Sequence, residues 1–275
     1  MKDLSASIVA YKTDANVLAQ TIHSFLSSTE NSKLHLIDNS PTDQLKFLAY
    51  DPRITYTFNN KNIGFGAAHN ISLRAVLTAS KYHLVLNPDV YFDADVIPRL
   101  YEFAEQDDRI GLILPKVFYP DGRIQRVCKL LPSPRTLIVR RFLGFLRGTL
   151  ERENYRYELH GCGYDKIVEA PFLSGCFMFL RTAALKKVGL FDERFFLYTE
   201  DTDLSRRVHK YYRTVFFPEV SIYHHHQRGS YKNPLLMMRN IQSAIKYFNK
   251  WGWAIDKDRD AFNALALRQA EVGNL

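Results

Sequence analysis

Along the first half of the chain, short apolar runs alternate with stretches whose apolar residues recur every three or four positions. The run at 5–10 (SASIVA) predicts a strand, and residues 16–28 carry Val17, Leu18, Ile22, Phe25 and Leu26 at helical spacing. A second strand at 34–38 (LHLID) ends in Asn39-Ser40-Pro41, a turn signal. A short helix at 44–50, a strand at 55–58 (TYTF) and a helix at 67–79 follow. A strand at 82–86 (YHLVL) is stopped by Asn87-Pro88-Asp89, and a helix over roughly 94–106 leads to a strand at 110–114 (IGLIL). This alternation predicts an α/β fold, a mostly parallel sheet with helices on both faces. Such sheets bind ligands at the carboxyl ends of their strands, where strand order switches. Asp38 and Asp89 both stand there.

The second half is less regular. Residues 123–156 hold nine Lys or Arg and two acids, Glu151 and Glu153. Within them RTLIVRRFLGFLRG (135–148) is apolar and basic together, read either as a membrane-surface helix or as a packed helix with a solvated basic face. Residues 170–180 return to strand character, 200–209 predict a helix, 214–217 a strand, and 234–248 and 258–271 two closing helices.

Composition narrows the class. The chain has 275 residues, 46% apolar and 24% charged, a globular mix. A chain of this length buries about 70–75% of its unfolded surface and needs no disulfide or structural metal. Cys128, Cys162 and Cys176 form no C-x-x-C pair, which argues against a disulfide framework and a Cys-rich zinc site. Lys plus Arg is 37 against 29 acids, a formal charge of +8 that favours anionic partners. No apolar run has membrane-spanning length, and residues 1–12 lack a signal-peptide core. The expectation is a soluble, cytoplasmic chain.

Four clusters could carry chemistry. FDERFFLYTEDTDLSRR (191–207) packs Asp192, Glu193, Glu200, Asp201 and Asp203 among aromatics. Such acids either suit the positive end of a helix dipole or are tuned as a general base by repulsion and desolvation. Asp89 after an apolar strand suits a hard cation, although N-P-D is also an ordinary turn. Asn62-Ile63-Gly64-Phe65-Gly66 ahead of a helix lets main-chain N–H groups approach a phosphate or simply starts the helix. His224-His225-His226 could supply a metal ligand or form a polar loop; strand alternation puts His224 and His226 on one side.

The order of these elements resembles family 2 glycosyltransferases, and within them the bacterial rhamnosyltransferase-like branch. S-I-V-A-Y at 7–11, D-N-S at 38–40, N-I-G-F-G-A-A-H-N at 62–70, N-P-D-V at 87–90, and L-S-G-C-F-M-F-L-R then G-L-F-D-E-R-F-F-L-Y-T-E-D-T-D-L within 173–204 carry the resemblance. It implies a GT-A fold, with a donor-binding half at 1–115, an acceptor-binding and catalytic half at 116–233 and C-terminal helices at 234–275, integrated as one domain. It implies transfer of a sugar, with inversion, from a nucleoside diphosphate donor, dTDP-rhamnose or a relative, to a saccharide acceptor. Ala10, Tyr11 and Asp38 resemble base and ribose contacts; Asn62, Gly64 and Asn70 the donor loop. Asn87, Pro88 and Asp89 stand at the family's D-x-D motif, with Asn87 replacing its first acid and Asp89 a ligand of Mg²⁺ or Mn²⁺. Asp201, beside Glu200, matches the catalytic base. Ser174, Gly175, Cys176 and Asp203 fall on the acceptor side. A second metal ligand falls on His225, with His224 or His226 as register alternatives. The resemblance and the basic stretch together suggest a lipid-linked acceptor at the inner membrane face, in surface polysaccharide synthesis, with no nucleic-acid partner.

Two rivals stand beside this reading. A nucleotidyltransferase shares sheet and metal, but residues 7–13 lack the glycine-rich loop it opens with. A catalytically degenerate polyanion- or membrane-binding module suits the charge, but not the retained acids.

Overall fold

The computed structural model describes residues 3–142, 147–225 and 233–272. Four parallel strands open it: β1 (Leu4–Ala10), β2 (Ser32–Asp38), β3 (Ile54–Phe58) and β4 (Tyr82–Leu86), side by side in the order β3-β2-β1-β4. Their register sets Ala10 opposite Asp38 and Asp38 opposite Phe58, so the carboxyl ends line one edge. Strands β1 and β4 are buried throughout, which explains their continuous apolar reading.

Helix α1 (Ala15–Ser27) starts where Asp14 accepts the Asn16 and Val17 N–H groups, and buries Leu18, Ile22 and Phe25. Burial of each such side chain stabilises the fold by about 1.5–3 kcal/mol. Helix α2 (Phe65–Val76) begins earlier than its apolar spacing suggests and ends at Val76. The short helix expected at 44–50 is one 3₁₀ turn, Lys46–Leu48. Helix α3 (Val96–Glu105) packs beside β6 (Ile110–Phe118), which runs four residues past its expected end at 114.

The strand order then reverses. β10 (Phe177–Arg181) inserts antiparallel between β4 and β6. β11 (Arg213–His224) lies parallel to β6 and continues well past 217. Its register shifts between Phe217 and Ser221, around Pro218, which has no N–H to donate to a ladder. The far end of β11 pairs antiparallel with β5 (Val90–Phe92), setting His224 opposite Val90. Strand β5 has no counterpart in the sequence reading. The expected 170–180 strand is broken: β9 (Phe172–Leu173) pairs with β7 (Cys128–Lys129), residues 174–176 turn, and β10 begins. Strand β8 (Val168–Glu169) pairs with β11.

The basic stretch is not one helix. α4 (Pro134–Phe142) and α5 (Arg147–Tyr157) pack on each other, and residues 143–146 lie outside the described residues. Arg140 is drawn inward, to Asn154 Oδ1 at 2.7 Å and Glu158 Oε1 at 2.8 Å. The chain continues through α6 (Thr182–Val188), unforeseen in the sequence, and α7 (Glu200–His209) to α8 (Pro234–Trp251) and α9 (Lys257–Val272). A buried two-point pair, Arg206 to Asp256 at 2.6 and 2.5 Å, holds α7 to the α8–α9 connection.

Candidate active site

The candidate site lies where strand order reverses, at the carboxyl end of β4. There the turn at 174–176 touches two clusters at once. The Asn87 N–H donates to the Cys176 carbonyl at 2.9 Å, and the Gly175 N–H donates to Asp201 Oδ2 at 2.9 Å. One tripeptide thus joins the N-P-D motif to the acid at the start of α7.

Asp201 Oδ1 accepts the Thr202 N–H at 2.8 Å. Burial raises its carboxyl above the ordinary aspartate value, and the Gly175 and Thr202 N–H groups only partly offset this. Tyr198 and Thr199, just before α7, hold φ of 70° and 61°, left-handed conformations that are strained in residues with a Cβ. Thr199 is fixed by its Oγ1, which donates to the Ser243 carbonyl of α8, and Ser243 Oγ donates to the Leu197 carbonyl. Helix α8 therefore braces the backbone that aims Asp201.

Glu200 differs from its neighbour. It is buried, its Oε2 has no hydrogen-bond partner among the described residues, and desolvation with the adjacent Asp201 pushes its carboxyl well above the usual range.

Asp203, expected on the acceptor side, is fully buried. Its Oδ1 takes Trp251 Nε1 at 2.8 Å and Lys250 Nζ at 2.6 Å, and its Oδ2 takes Arg207 Nε at 2.8 Å. These partners leave it a tie between α7 and α8. The same contact gives Trp251 its place, with Arg206 4.0 Å over its ring.

At the N-P-D motif, Asp89 Oδ1 lies 3.3 Å from His224 Nε2, and Asn87 Nδ2 lies 3.3 Å from the same nitrogen. His224 is buried; burial alone lowers its pKa, but the Asp89 carboxylate and Cys176 raise it to about 10. Its Nδ1 meets Gln125 Oε1 at 3.0 Å, while Gln125 Nε2 donates to the His224 carbonyl at 2.5 Å. With Nδ1–H donating to Gln125, the proton that Asp89 stabilises sits on Nε2, and a cation bound between Nε2 and Asp89 would take the place of that proton. His225 is exposed; its N–H donates to the Asp89 carbonyl at 3.1 Å and its ring lies 5.6 Å from that of Tyr91. Strand β11 thus brings His224, not the His225 side chain, to Asp89, and His226 lies outside the described residues.

An oxygen and an imidazole nitrogen suit Mg²⁺ or Mn²⁺, and two adjacent octahedral ligands at about 2.1 Å from one ion stand about 3 Å apart. Among the described residues no group of three His, Cys, Asp or Glu side chains could hold a metal ion. The remaining ligands would therefore be phosphate oxygens and water, as Mg²⁺ commonly takes them.

On the opening strands, Ala10 is buried and Tyr11 half exposed. Asp38 is fully buried; its Oδ1 accepts the Ser40 N–H at 2.8 Å and its Oδ2 the Tyr56 hydroxyl at 2.7 Å. It shapes the strand end from beneath. Asn62 Oδ1 accepts the Gly64 N–H at 3.0 Å. Gly64 has φ 95°, and a Cβ there would lie 2.5 Å from the Phe196 carbonyl oxygen, so only glycine fits. Asn70 is buried, with both ends of its amide bonded to the Phe191 main chain at 2.9 and 3.1 Å. It ties α2 to the stretch before α7. Pro88 gives its carbonyl to Thr21 Oγ1 at 2.9 Å, and Ser174 its N–H to the Val127 carbonyl at 3.2 Å.

Sequence reasoning missed Gln125 and Lys129. Lys129, on β7, is held below its ordinary pKa by burial and by Arg140, within electrostatic reach of Asp201. Neither stands in a motif; only the pairing of β7 with β9 and the path of β11 bring them here.

A parallel α/β half whose strand ends meet a second, carboxylate-bearing half at the order reversal is the GT-A glycosyltransferase layout. The chain belongs to glycosyl transferase family 2, whose family model matches residues 5–189. It is 28% identical over 213 residues to the N-acetylglucosaminyl-diphospho-decaprenol L-rhamnosyltransferase of Mycobacterium tuberculosis, covering 72% of this chain and 68% of that protein. It is 23% identical over 212 residues to the low-salt glycan biosynthesis hexosyltransferase Agl10 of Haloferax volcanii, covering 76% of this chain and 62% of that protein. Among solved structures, the mannosyltransferase PcManGT from Pyrobaculum calidifontis, in complex with GDP-Man and Mn²⁺, matches with TM-score 0.61 at 14% identity, over 98% of this chain and 73% of that one. GalNAc-T7 with UDP, GalNAc and Mn²⁺ matches with TM-score 0.59 at 15% identity over 82% of this chain, which spans 44% of that chain's length.

Proposed function

We propose that the protein is an inverting, metal-dependent transferase that moves a sugar, rhamnose from dTDP-rhamnose, to the hydroxyl of a lipid-linked saccharide in surface polysaccharide synthesis. The observation that carries this reading is the bridge from Asn87 through Cys176 and Gly175 to Asp201, which sets a base beside a phosphate-handling motif. The relative from Mycobacterium tuberculosis, by its name, is an L-rhamnosyltransferase for a diphospho-decaprenol acceptor, and this supports both donor and acceptor class.

Asp201 takes the acceptor proton as the acceptor oxygen bonds to the anomeric carbon. The bond from that carbon to the diphosphate breaks, and the diphosphate leaves with the electron pair. A carboxylate raised by burial is a stronger base than a solvated one and suits this step. Asp89 and His224 would hold the cation, which when bound would neutralise the charge on the leaving diphosphate. Gln125 fixes the His224 tautomer. Tyr11, half exposed beyond Ala10, offers a ring for the nucleobase.

Calorimetric titration with dTDP, UDP and GDP, each with and without Mn²⁺, tests the reading. Metal-dependent binding of dTDP is expected. Failure of a folded protein to bind any of the three would overturn it and favour the degenerate binding module.

A further inference from the structure

Helix α8 has two apolar faces, and among the described residues only one is covered. Its inner face, with Tyr247 and Phe248, packs against Phe195 and against Leu137 of α4. On its outer face Leu235, Met238, Ile241 and Ile245 are 55, 48, 37 and 43% exposed. Steps of three, three and four residues keep these side chains on one side of the helix. Beyond the helix end Trp253 and Ile255 remain 48 and 80% exposed. Ile138 of the adjoining α4 is exposed as well.

The segments that carry this row are basic. Residues 233–255 contain Arg239, Lys246 and Lys250 and no acid, Lys250 being turned inward to Asp192 and Asp203; residues 122–150, which include α4, contain no acid either. Apolar side chains on segments whose outward charges, Arg239 and Lys246, are cationic are complementary to the headgroup boundary of an anionic bilayer, where hydrocarbon and negative charge meet. No helix among the described residues is long and apolar enough to cross a membrane, so the fitting geometry is a helix lying in the surface.

We propose that α8 docks on an anionic lipid bilayer through Leu235, Met238, Ile241, Ile245 and the following Trp253 and Ile255. This moves the membrane contact expected at 135–148 onto α8, with α4 beside it. The consequence is catalytic placement. Ser243 and Trp251, on the same helix, hold Leu197, Thr199 and Asp203, the segment that aims Asp201. The docked face is therefore rigidly joined to the site. The proposal rests on the lipid-linked acceptor in the functional reading, and names the surface on which that acceptor is met.

The test is flotation of the full chain with phosphatidylcholine vesicles, with and without phosphatidylglycerol, in the absence of any sugar nucleotide. Binding to the anionic vesicles that weakens with salt is expected. Met238→Glu with Ile245→Glu should lower partitioning roughly tenfold or more, and the uncharged pair Met238→Gln with Ile245→Gln should lower it less, both at unchanged thermal unfolding. Phe47→Gln, an exposed aromatic ahead of β3, should leave it unchanged. Indifference of the parent to anionic lipid, or full binding by both double variants, would overturn the proposal. So would a dimer in sedimentation that the same substitutions dissolve, since a second copy would then cover this face. With no donor present, a negative result here is separate from any failure of nucleotide binding.

Discussion

The N–H of Gly175 holds the Asp201 carboxylate at 2.9 Å, and a Cβ added to Gly175 would stand 2.9 Å from the Asp201 Cβ. Contact that close leaves no room for a methyl group, so Gly175→Ala must displace the Asp201 carboxylate. Misplacing a reacting group by an ångström can cost about 10²-fold. Gly175→Ala is expected to lower kcat by roughly 10–10², with the donor KM little changed. Steady-state kinetics on the purified variant check this.

The proposed cation site separates the adjacent histidines. His224→Ala and Asp89→Ala should abolish the Mn²⁺ dependence of nucleotide binding, whereas His225→Ala should preserve it. Gln125→Leu removes the partner of His224 Nδ1 and should weaken Mn²⁺ by roughly 10–100-fold, the usual cost of losing a ligand's outer partner. Calorimetry of metal and nucleotide together measures all four variants.

Glu200 should behave as a buried acid. Its folded pKa lies well above its unfolded value of about 4.3, so the folded state holds its proton more tightly. That contribution to stability is full below about pH 4.3 and is lost as pH rises through the folded pKa. Glu200→Gln does not titrate. Its melting temperature relative to the parent should therefore rise with pH across that window, with kcat changed only a few-fold. Thermal unfolding from pH 4 to pH 8 checks the sign.

Asp256 is the structural counterpart. Its carboxylate pairs at two points with Arg206, both residues being buried. Asp256→Ala leaves a charged guanidinium without its partner and should destabilise the protein by about 3–5 kcal/mol. Denaturant unfolding measures the loss.

The opening sheet was legible because β1, β2 and β4 are apolar runs of strand length, the last two closed by turn residues. Strand β5 was not, since three residues directly after a turn carry no period. The insertion of β10 between β4 and β6 is a pairing across distant sequence, which local pattern does not encode. The acids at 200–203 read as one cluster from residue type, and only the resemblance set Asp201 apart as base and Asp203 on the acceptor side. Their difference lies in partners far along the chain: Asp203 meets Lys250 and Trp251, Asp201 meets Gly175, and Glu200 Oε2 meets none among the described residues. Asn70 looked like a donor-loop residue because its motif is local, while the Phe191 main chain that claims it is 121 positions away. Among the histidines, residue type could not choose a register; pairing of His224 with Val90 on β5 does.

The central claim is that Asp201 is the base of a glycosyl transfer. Its most direct test is Asp201→Asn, assayed for dTDP release from dTDP-rhamnose with a lipid-linked saccharide acceptor, alongside dTDP affinity and thermal unfolding. The amide keeps one of the two oxygens that accept the Gly175 and Thr202 N–H groups, so thermal unfolding is read alongside turnover. The account predicts turnover lower by about 10²–10⁴ with nucleotide affinity unchanged. Turnover equal to the parent, in a variant that binds dTDP normally, would contradict it.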